Sequence, residues 1–337
     1  MPTPTPIPPP PNLPAAGGIR VPAGFSAYLY ARGLGTTTAM AFGPDGRLYV
    51  VTQGGSLEMV PAPGAAPQTL VSGLPIALGL AWHGSDLFVS VRGSIRRYTL
   101  NGSRLSGGGA IVNGLPVNRH QNDWILLMPN GDFLLSVGST CDVCVEGNPK
   151  SAAVLRFRND WSYAGVVVRG SRNPYGLALR SSTGAAYVTI NGQDNLGVQP
   201  ADHLLRVADG EDAGWPRCWP AYPDGSLHGN CAGVATPIAV FTPHTSADGI
   251  VFYEAGEFGT DYFENAFVTL WGTNGGGPSG RRVERVVLSG SGATEHGQVS
   301  DFATGFSHPL AIAQSPDGGL LVGDYGTGQI IEIFRTS

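Results

Sequence analysis

Lysine is nearly missing from this chain of 337 residues: of its 20 basic residues only Lys150 is a lysine, and the others are arginines. Charged residues of either sign make up 13%, about half the usual share of a soluble domain, and the net charge is -5. No basic run exists that could follow a phosphate backbone, so nucleic acid is excluded as the expected partner. Long apolar runs are missing as well. Gly, Pro or a polar residue interrupts every one before the roughly 18 positions that a membrane span needs. There is no GxSxG elbow, no HExxH helix and no GKS or GKT phosphate loop, which removes the common hydrolase, zinc-protease and nucleotide readings. The Gly-rich segment 272–280 precedes a strand pattern rather than a helix, and so does not make a dinucleotide-type phosphate site.

Glycine and proline are abundant, at 50 and 27 residues. Inside helices they cost about 1 and about 3 kcal/mol each, which excludes an all-helical fold. Hydrophobic residues at 42% still supply a large core. The four cysteines fall as two local pairs, Cys141/Cys144 and Cys218/Cys231. The second pair lacks a nearby CxxC or HxxxH partner, so two short-loop disulfides are expected rather than a zinc site. Disulfides point to an oxidising compartment. The Pro-rich start reads as an extended, disordered stalk over residues 1–18 ahead of one domain over 19–337. Met1 is read as standing in place of a removed leader, and a secreted, periplasmic or cell-surface location is expected.

One phrase recurs six times: a strand of small and branched residues, a Gly-containing turn, a second strand, a loop and a third strand. Its turns align on Gly46, Gly84, Gly131, Gly184, Asn265 and Gly318. Three of them carry PDG or PNG, the dipeptides that supply positive φ in tight hairpins. Short alternating strands at such a period cannot bury their faces alone and must stack around an axis. The expected fold is therefore all-β, a six-bladed β-propeller. The early strand Phe25–Ala31 is expected to join the last blade and close the ring.

In a propeller the loops at one end of the innermost strands form the ligand-binding mouth. The residues entering those strands are Thr36–Thr38, Pro75–Ile76, His120–Asp123, Arg172–Tyr175, His244–Asp248 and His308. Insertions at 138–152, 191–202, 208–243 and 271–282 are expected to wall the mouth. His120 is the first candidate for a general base, with Asp123, Asp142 or Asp202 as orienting partner. Arg172 offers a fork of donors for a carboxylate or carbonyl, or is a structural arginine bonded to loop carbonyls. Asn173 and Tyr175 add a polar group and an aromatic face. Asp194 and Asp202 lie in a Gly-rich loop that suits either a hard cation such as calcium or a plain Asx turn. Trp215 and Trp219 are expected to stack as an aromatic wall.

The HQND phrase at His120, the RNPYG phrase at Arg172 and the GWPRC phrase at Gly214, in this order, resemble the soluble pyrroloquinoline-quinone (PQQ)-dependent sugar dehydrogenases, in particular the sorbosone dehydrogenase-like branch. The resemblance spans roughly residues 20–335. It implies a six-bladed propeller that holds PQQ and Ca2+ at the mouth, oxidises an aldose or related sugar and passes electrons to an external acceptor. It implies that His120 takes the hydroxyl proton while hydride goes to the quinone. Arg172, with Asn173 beside it, would polarise a quinone carbonyl, and Asp202 matches an acidic position near the substrate. The calcium ligands would be the backbone carbonyls of Gly192 and Gln193, with Asp194 adjacent. Leu310 stands where the family usually has a basic side chain. Arg119, Arg281, Arg282 and His308 are then the groups left to balance the three carboxylates of the quinone. The alternatives are a calcium-dependent lactonase or esterase propeller, which needs no quinone, and a non-catalytic sugar- or partner-binding propeller.

Overall fold

Each copy of the repeated phrase folds into one antiparallel blade. The structure, a computed structural model, describes residues 13–273 and 279–336. The inner strands of blades 1 to 6 are Thr37–Phe42, Ala77–His83, Asn122–Leu127, Asn173–Arg180, Ala247–Phe252 and Pro309–Gln314. Every blade is a sheet of at least four strands. Among the described residues the only helical element is a 3-10 turn at Gly292–Thr294. The strand Phe25–Arg32 pairs antiparallel with Gln329–Arg335 and completes blade 6, so the two ends of the chain close the ring as expected. Five of the six aligned turn residues are glycines at positive φ. In blade 5 a longer loop replaces the tight turn, and Glu264 takes the positive φ in place of Asn265.

Two repeated devices shape the mouth. Near its start every inner strand carries a register shift against its neighbour, for example between Ala77 and Gly79 and between Ala247 and Ile250. The extra residue of each bulge breaks the in-out alternation. The six residues so placed are Thr38, Leu78, Asp123, Tyr175, Asp248 and Leu310. The second device fastens blade to blade. A Ser or Thr on one blade's second strand donates to a carbonyl of the next inner strand: Ser136 to Tyr175 O (2.7 Å), Thr189 to Asp248 O (2.6 Å) and Thr269 to Leu310 O (2.8 Å). Buried leucines, valines and aromatics such as Leu87, Phe133, Phe267 and Ile333 fill the space between sheets.

Both expected disulfides are formed, Cys141–Cys144 and Cys218–Cys231. Residues 1–12 of the expected stalk lie outside the described residues, as do residues 274–278 of the Gly-rich segment. The stalk boundary needs one correction. Residues 13–18 lie against blade 6, where Ala15 bridges Tyr28 and the Leu29 N–H donates to Pro14 O at 2.9 Å.

Glu332 on the third strand of blade 6 is fully buried, and neither of its carboxyl oxygens has a hydrogen-bond partner. Burial, then the nearby Asp317, pushes its carboxyl up to about 8. A raised pKa favours the fold while the group is protonated, and that contribution is lost as the pH rises from about 4.5 through about 8. Glu332→Gln is therefore expected to stabilise the protein by about 2 kcal/mol at pH 8 and to change little at pH 4. Thermal melts of the pair at both pH values check this; an equal or lower melting temperature of the variant at pH 8 counts against it.

Candidate active site at the propeller mouth

The cavity at the mouth has a volume of about 420 Å3 and is lined by residues of blades 3, 4 and 5, within the usual range for small-molecule sites. His120 precedes the inner strand of blade 3, and Ser139 follows the second strand of the same blade. The His120 N–H donates to Ser139 O at 3.1 Å, and its Nδ1 lies 3.0 Å from Ser139 Oγ. Gly138 permits this contact: a Cβ there would lie 2.3 Å from His120 Cβ and 2.5 Å from Asn173 Oδ1.

The tautomer of His120 follows from a count of protons. Ser139 Oγ donates its one hydrogen to Cys141 O at 2.6 Å, so toward the imidazole it acts as acceptor. Nδ1 therefore carries the proton, and Nε2 keeps its lone pair on a side chain that lines the cavity. Burial, then the Arg172 and Arg119 guanidinium groups, lowers the pKa of His120 to about 3. The expected orienting carboxylates do other work. Asp142 pairs with Arg172, Asp202 accepts the Gly192 N–H, and Asp123 belongs to the ring of bulge residues. Removing the Ser139 hydroxyl by Ser139→Ala should free the ring to rotate and change tautomer. Turnover is expected to fall about tenfold with little change in KM; an unchanged kcat would remove Ser139 from this role.

Arg172 is buried with a backbone φ of 39°, a conformation that few side chains adopt. Its Nε and Nη2 donate to Asp142 Oδ1 at 3.2 and 2.8 Å, Nη1 donates to Asn191 O at 3.2 Å, and Nη2 also reaches Asp194 Oδ2 at 3.1 Å. Asp194 in turn pairs with Arg119 at 2.5 Å. The two readings of Arg172 left open by the sequence thus merge: it binds a loop carbonyl and also faces the cavity. Trp215 supports the arrangement from behind, donating its Nε1 to Asp142 O at 3.0 Å. Trp215 and Trp219 line one small neighbouring void together with Gln193.

Of the other expected site residues, Asn173, Tyr175, Gly192, Asp194 and Asp202 line the cavity, and Gln193, Arg281, Arg282 and His308 do not. Gln193 is buried beside it. Arg282 is held by Glu284 (2.5 Å), Asp301 (2.8 Å) and Thr242 (3.2 Å), outside the lining of the cavity. Arg281 packs its stem close to Gly272, and its Nε is buried without a partner. His308 stacks on Trp271 at 4.1 Å between ring centroids, and Trp271 is the cavity residue of the two. Among the cavity-lining residues and the adjacent Gln193, buried oxygens without a hydrogen-bond partner are Asn173 Oδ1, Tyr175 Oη, Asn191 Oδ1, Gln193 Oε1 and Asp202 Oδ2. Burial raises Asp202 to about 6, against the opposing pull of the Gly192 N–H.

Fold and cavity together define a six-bladed propeller with a polar site at the channel mouth. Solved structures share this form along nearly their whole length. The PQQ domain of pyranose dehydrogenase from Coprinopsis cinerea, in its holo form, is 19% identical with a TM-score of 0.82, covering 96% of this chain and 99% of that one. A family AA12 carbohydrate-active enzyme from Trichoderma reesei, a calcium structure, is 17% identical with a TM-score of 0.81, covering 96% and 98%. The PQQ-bound aldose sugar dehydrogenase from Streptomyces coelicolor is 20% identical with a TM-score of 0.71, covering 96% and 99%. At these identities the likeness shows the fold. No curated protein sequence matches the chain. The sequence profile described as Glucose / Sorbosone dehydrogenase matches residues 136–332. The chain belongs to the glucose/sorbosone dehydrogenase family and is a propeller oxidoreductase of the sugar-dehydrogenase type.

Proposed function

We propose that the protein is a PQQ- and calcium-dependent dehydrogenase of aldoses or related sugars, with His120 as general base. One observation carries the reading: a neutral imidazole, locked by Ser139 with Nε2 as its free base, faces a cavity beside a buried arginine fork. That is the equipment needed to take a hydroxyl proton. The chemistry of the donors fits the two groups. Unpartnered buried oxygens around Gly192, Gln193 and Asp202 suit a hard cation. Arg119 and Arg172 are the cations of the lining, shared at present with Asp142 and Asp194, and calcium adds the positive charge that a tricarboxylate needs. Bound there, PQQ supplies the two-electron oxidising power.

The chain's own residues place and deprotonate. His120 Nε2 accepts the substrate hydroxyl proton. Arg172 and Asn173 orient oxygen atoms on the cofactor side, and Asp202 holds the Gly192 turn that would present its carbonyl to calcium. Trp271 offers an aromatic face to a sugar ring. The two disulfides, and the absence among the described residues of any helix long and apolar enough to cross a membrane, support an exported protein that hands its electrons to an external acceptor. The test is dye reduction by the purified chain supplied with calcium, PQQ and a panel of aldoses. Sugar-dependent reduction that chelation abolishes is expected; its absence across the panel overturns the reading.

A further inference from the structure

The four residues Cys141–Cys144 touch two separate parts of the site. Ser139 Oγ, which fixes the tautomer of His120, donates its proton to Cys141 O at 2.6 Å. One residue on, Asp142 Oδ1 accepts from Arg172 Nη2 at 2.8 Å and from the Asp194 N–H at 3.0 Å, and Asp142 O accepts from Trp215 Nε1 at 3.0 Å. A base ahead of blade 3 and a guanidinium ahead of blade 4 thus take their placement from one short segment. Little besides its disulfide shapes that segment. Among the described residues, 141–147 belong to no strand and make no backbone–backbone hydrogen bond. Val143 and Val145 are 41% and 89% exposed, so no core holds them. Glu146 reaches back to the Thr140 N–H at 2.5 Å and to its Oγ1 at 2.8 Å, a clamp outside the bridge that leaves residues 141–145 free to rearrange once the bridge opens. A disulfide stabilises the fold as a whole least when the loop it closes is shortest, and this one joins cysteines at a sequence separation of 3. Its worth is therefore local. Both cysteines are also partly exposed, within reach of a reductant.

We propose that the Cys141–Cys144 disulfide is a positioning element of the active site, holding the Cys141 carbonyl to Ser139 and the Asp142 carboxylate to Arg172, so that its opening releases His120 and Arg172 together. Its effect on turnover rests on the dehydrogenase reading above; its effect on His120 does not. With the bridge open, Cys141 O is no longer held against Ser139, whose hydroxyl then turns and donates to His120 Nδ1. The ring carries its proton on Nε2 instead, and the base facing the cavity is lost. Arg172 keeps Asn191 O and Asp194 but loses the carboxylate that fixes its fork. Dithiothreitol opens the bridge by supplying two electrons and two protons: the S–S bond breaks, Cys141 and Cys144 become thiols, and the reagent closes to its cyclic disulfide.

The experiment follows the full chain, labelled with 15N-histidine and free of quinone, by NMR. The parent should show His120 as one tautomer with its proton on Nδ1. Dithiothreitol should move that proton toward Nε2 while the fold persists, and reoxidation with glutathione disulfide should restore the parental signals. The double variant Cys141→Ser/Cys144→Ser should show the changed tautomer without reductant, and reductant should add nothing further to it, which assigns the effect to this bridge rather than to Cys218–Cys231. Loaded with calcium and PQQ, the double variant should turn over sugar about 100-fold more slowly than the parent, the scale of a misplaced reacting group. If the parent itself does not turn over, the dehydrogenase reading falls, and the His120 signals still decide for or against the bridge. Unchanged His120 signals on reduction or in the double variant, a change that reoxidation does not reverse, parental turnover of the variant beside an active parent, or unfolding of the chain on reduction overturns the proposal.

Discussion

His120→Gln is expected to lower turnover by about 100- to 10,000-fold, the range that a positioned general base contributes, while calcium and quinone still bind. The glutamine fills a similar volume and can still reach Ser139, so the fold should survive. The same residue makes a second claim, about protons. In the unloaded protein burial and the two arginines lower its pKa to about 3, far from the ordinary 6.5, so its NMR signals should show a neutral ring at pH 5. A depressed pKa contributes stability that is full above about 6.5 and is lost as the pH falls toward about 3. His120→Gln should therefore lose less stability than the parent between pH 7 and pH 4. A ring that titrates near 6.5, or a variant with parental turnover, would remove His120 as the base.

The blades were legible because their signal is local. A PDG turn between two short branched strands specifies a hairpin wherever it occurs, and six copies specify the ring. The closing strand Phe25–Arg32 was legible too, as the strand left over at the start. The mouth was half legible. Tracing residues that enter the inner strands finds His120, Arg172 and Asn173, yet antiparallel pairing brings the far ends of the second strands to the same place. Those ends carry Ser139, Asn191 and Trp271, which the repeat alignment contains but which entry positions alone do not reveal. The carboxylates expected to orient His120 went elsewhere for a reason of spacing: Asp142, inside the disulfide loop, meets the Arg172 fork, and its neighbour Cys141 takes the Ser139 hydroxyl.

Bulges account for another part of what was missed. Strict alternation along a strand fixes which side chains share a face, and the register shifts that place Asp123 and Asp248 break it. No pattern in the sequence marks those shifts. Arg282 illustrates the opposite case. Glu284 stands two residues on along the same strand and therefore on the same face, so a pair between them was available from spacing alone, and it holds Arg282 away from the mouth.

Arg172→Ala and Arg172→Lys are expected to separate charge from shape. The alanine variant leaves Asp142 without its guanidinium partner in a partly buried place. Burial opposes the charge of Asp142, and the Asp194 N–H and Arg172 hold its carboxyl below the ordinary value. Removing the arginine should cost about 3 kcal/mol, the lower end for breaking a buried pair, because Asp142 keeps some solvent. The share of stability that Asp142 supplies above about pH 4 and loses on acidification should shrink with it. Turnover should fall by 100-fold or more, on the order of losing one preorganised donor, and the pKa of His120 should rise because a cationic neighbour is gone. The lysine variant keeps that charge, so His120 should stay neutral at pH 5. A single ammonium, however, cannot span Asp142, Asp194 and the Asn191 carbonyl as the planar fork does. Turnover is again expected to fall about 100-fold through misplacement, with a smaller loss of stability. Equal activity of the lysine variant and the parent would mean that charge alone suffices, and the fork would then have no part in placing the cofactor.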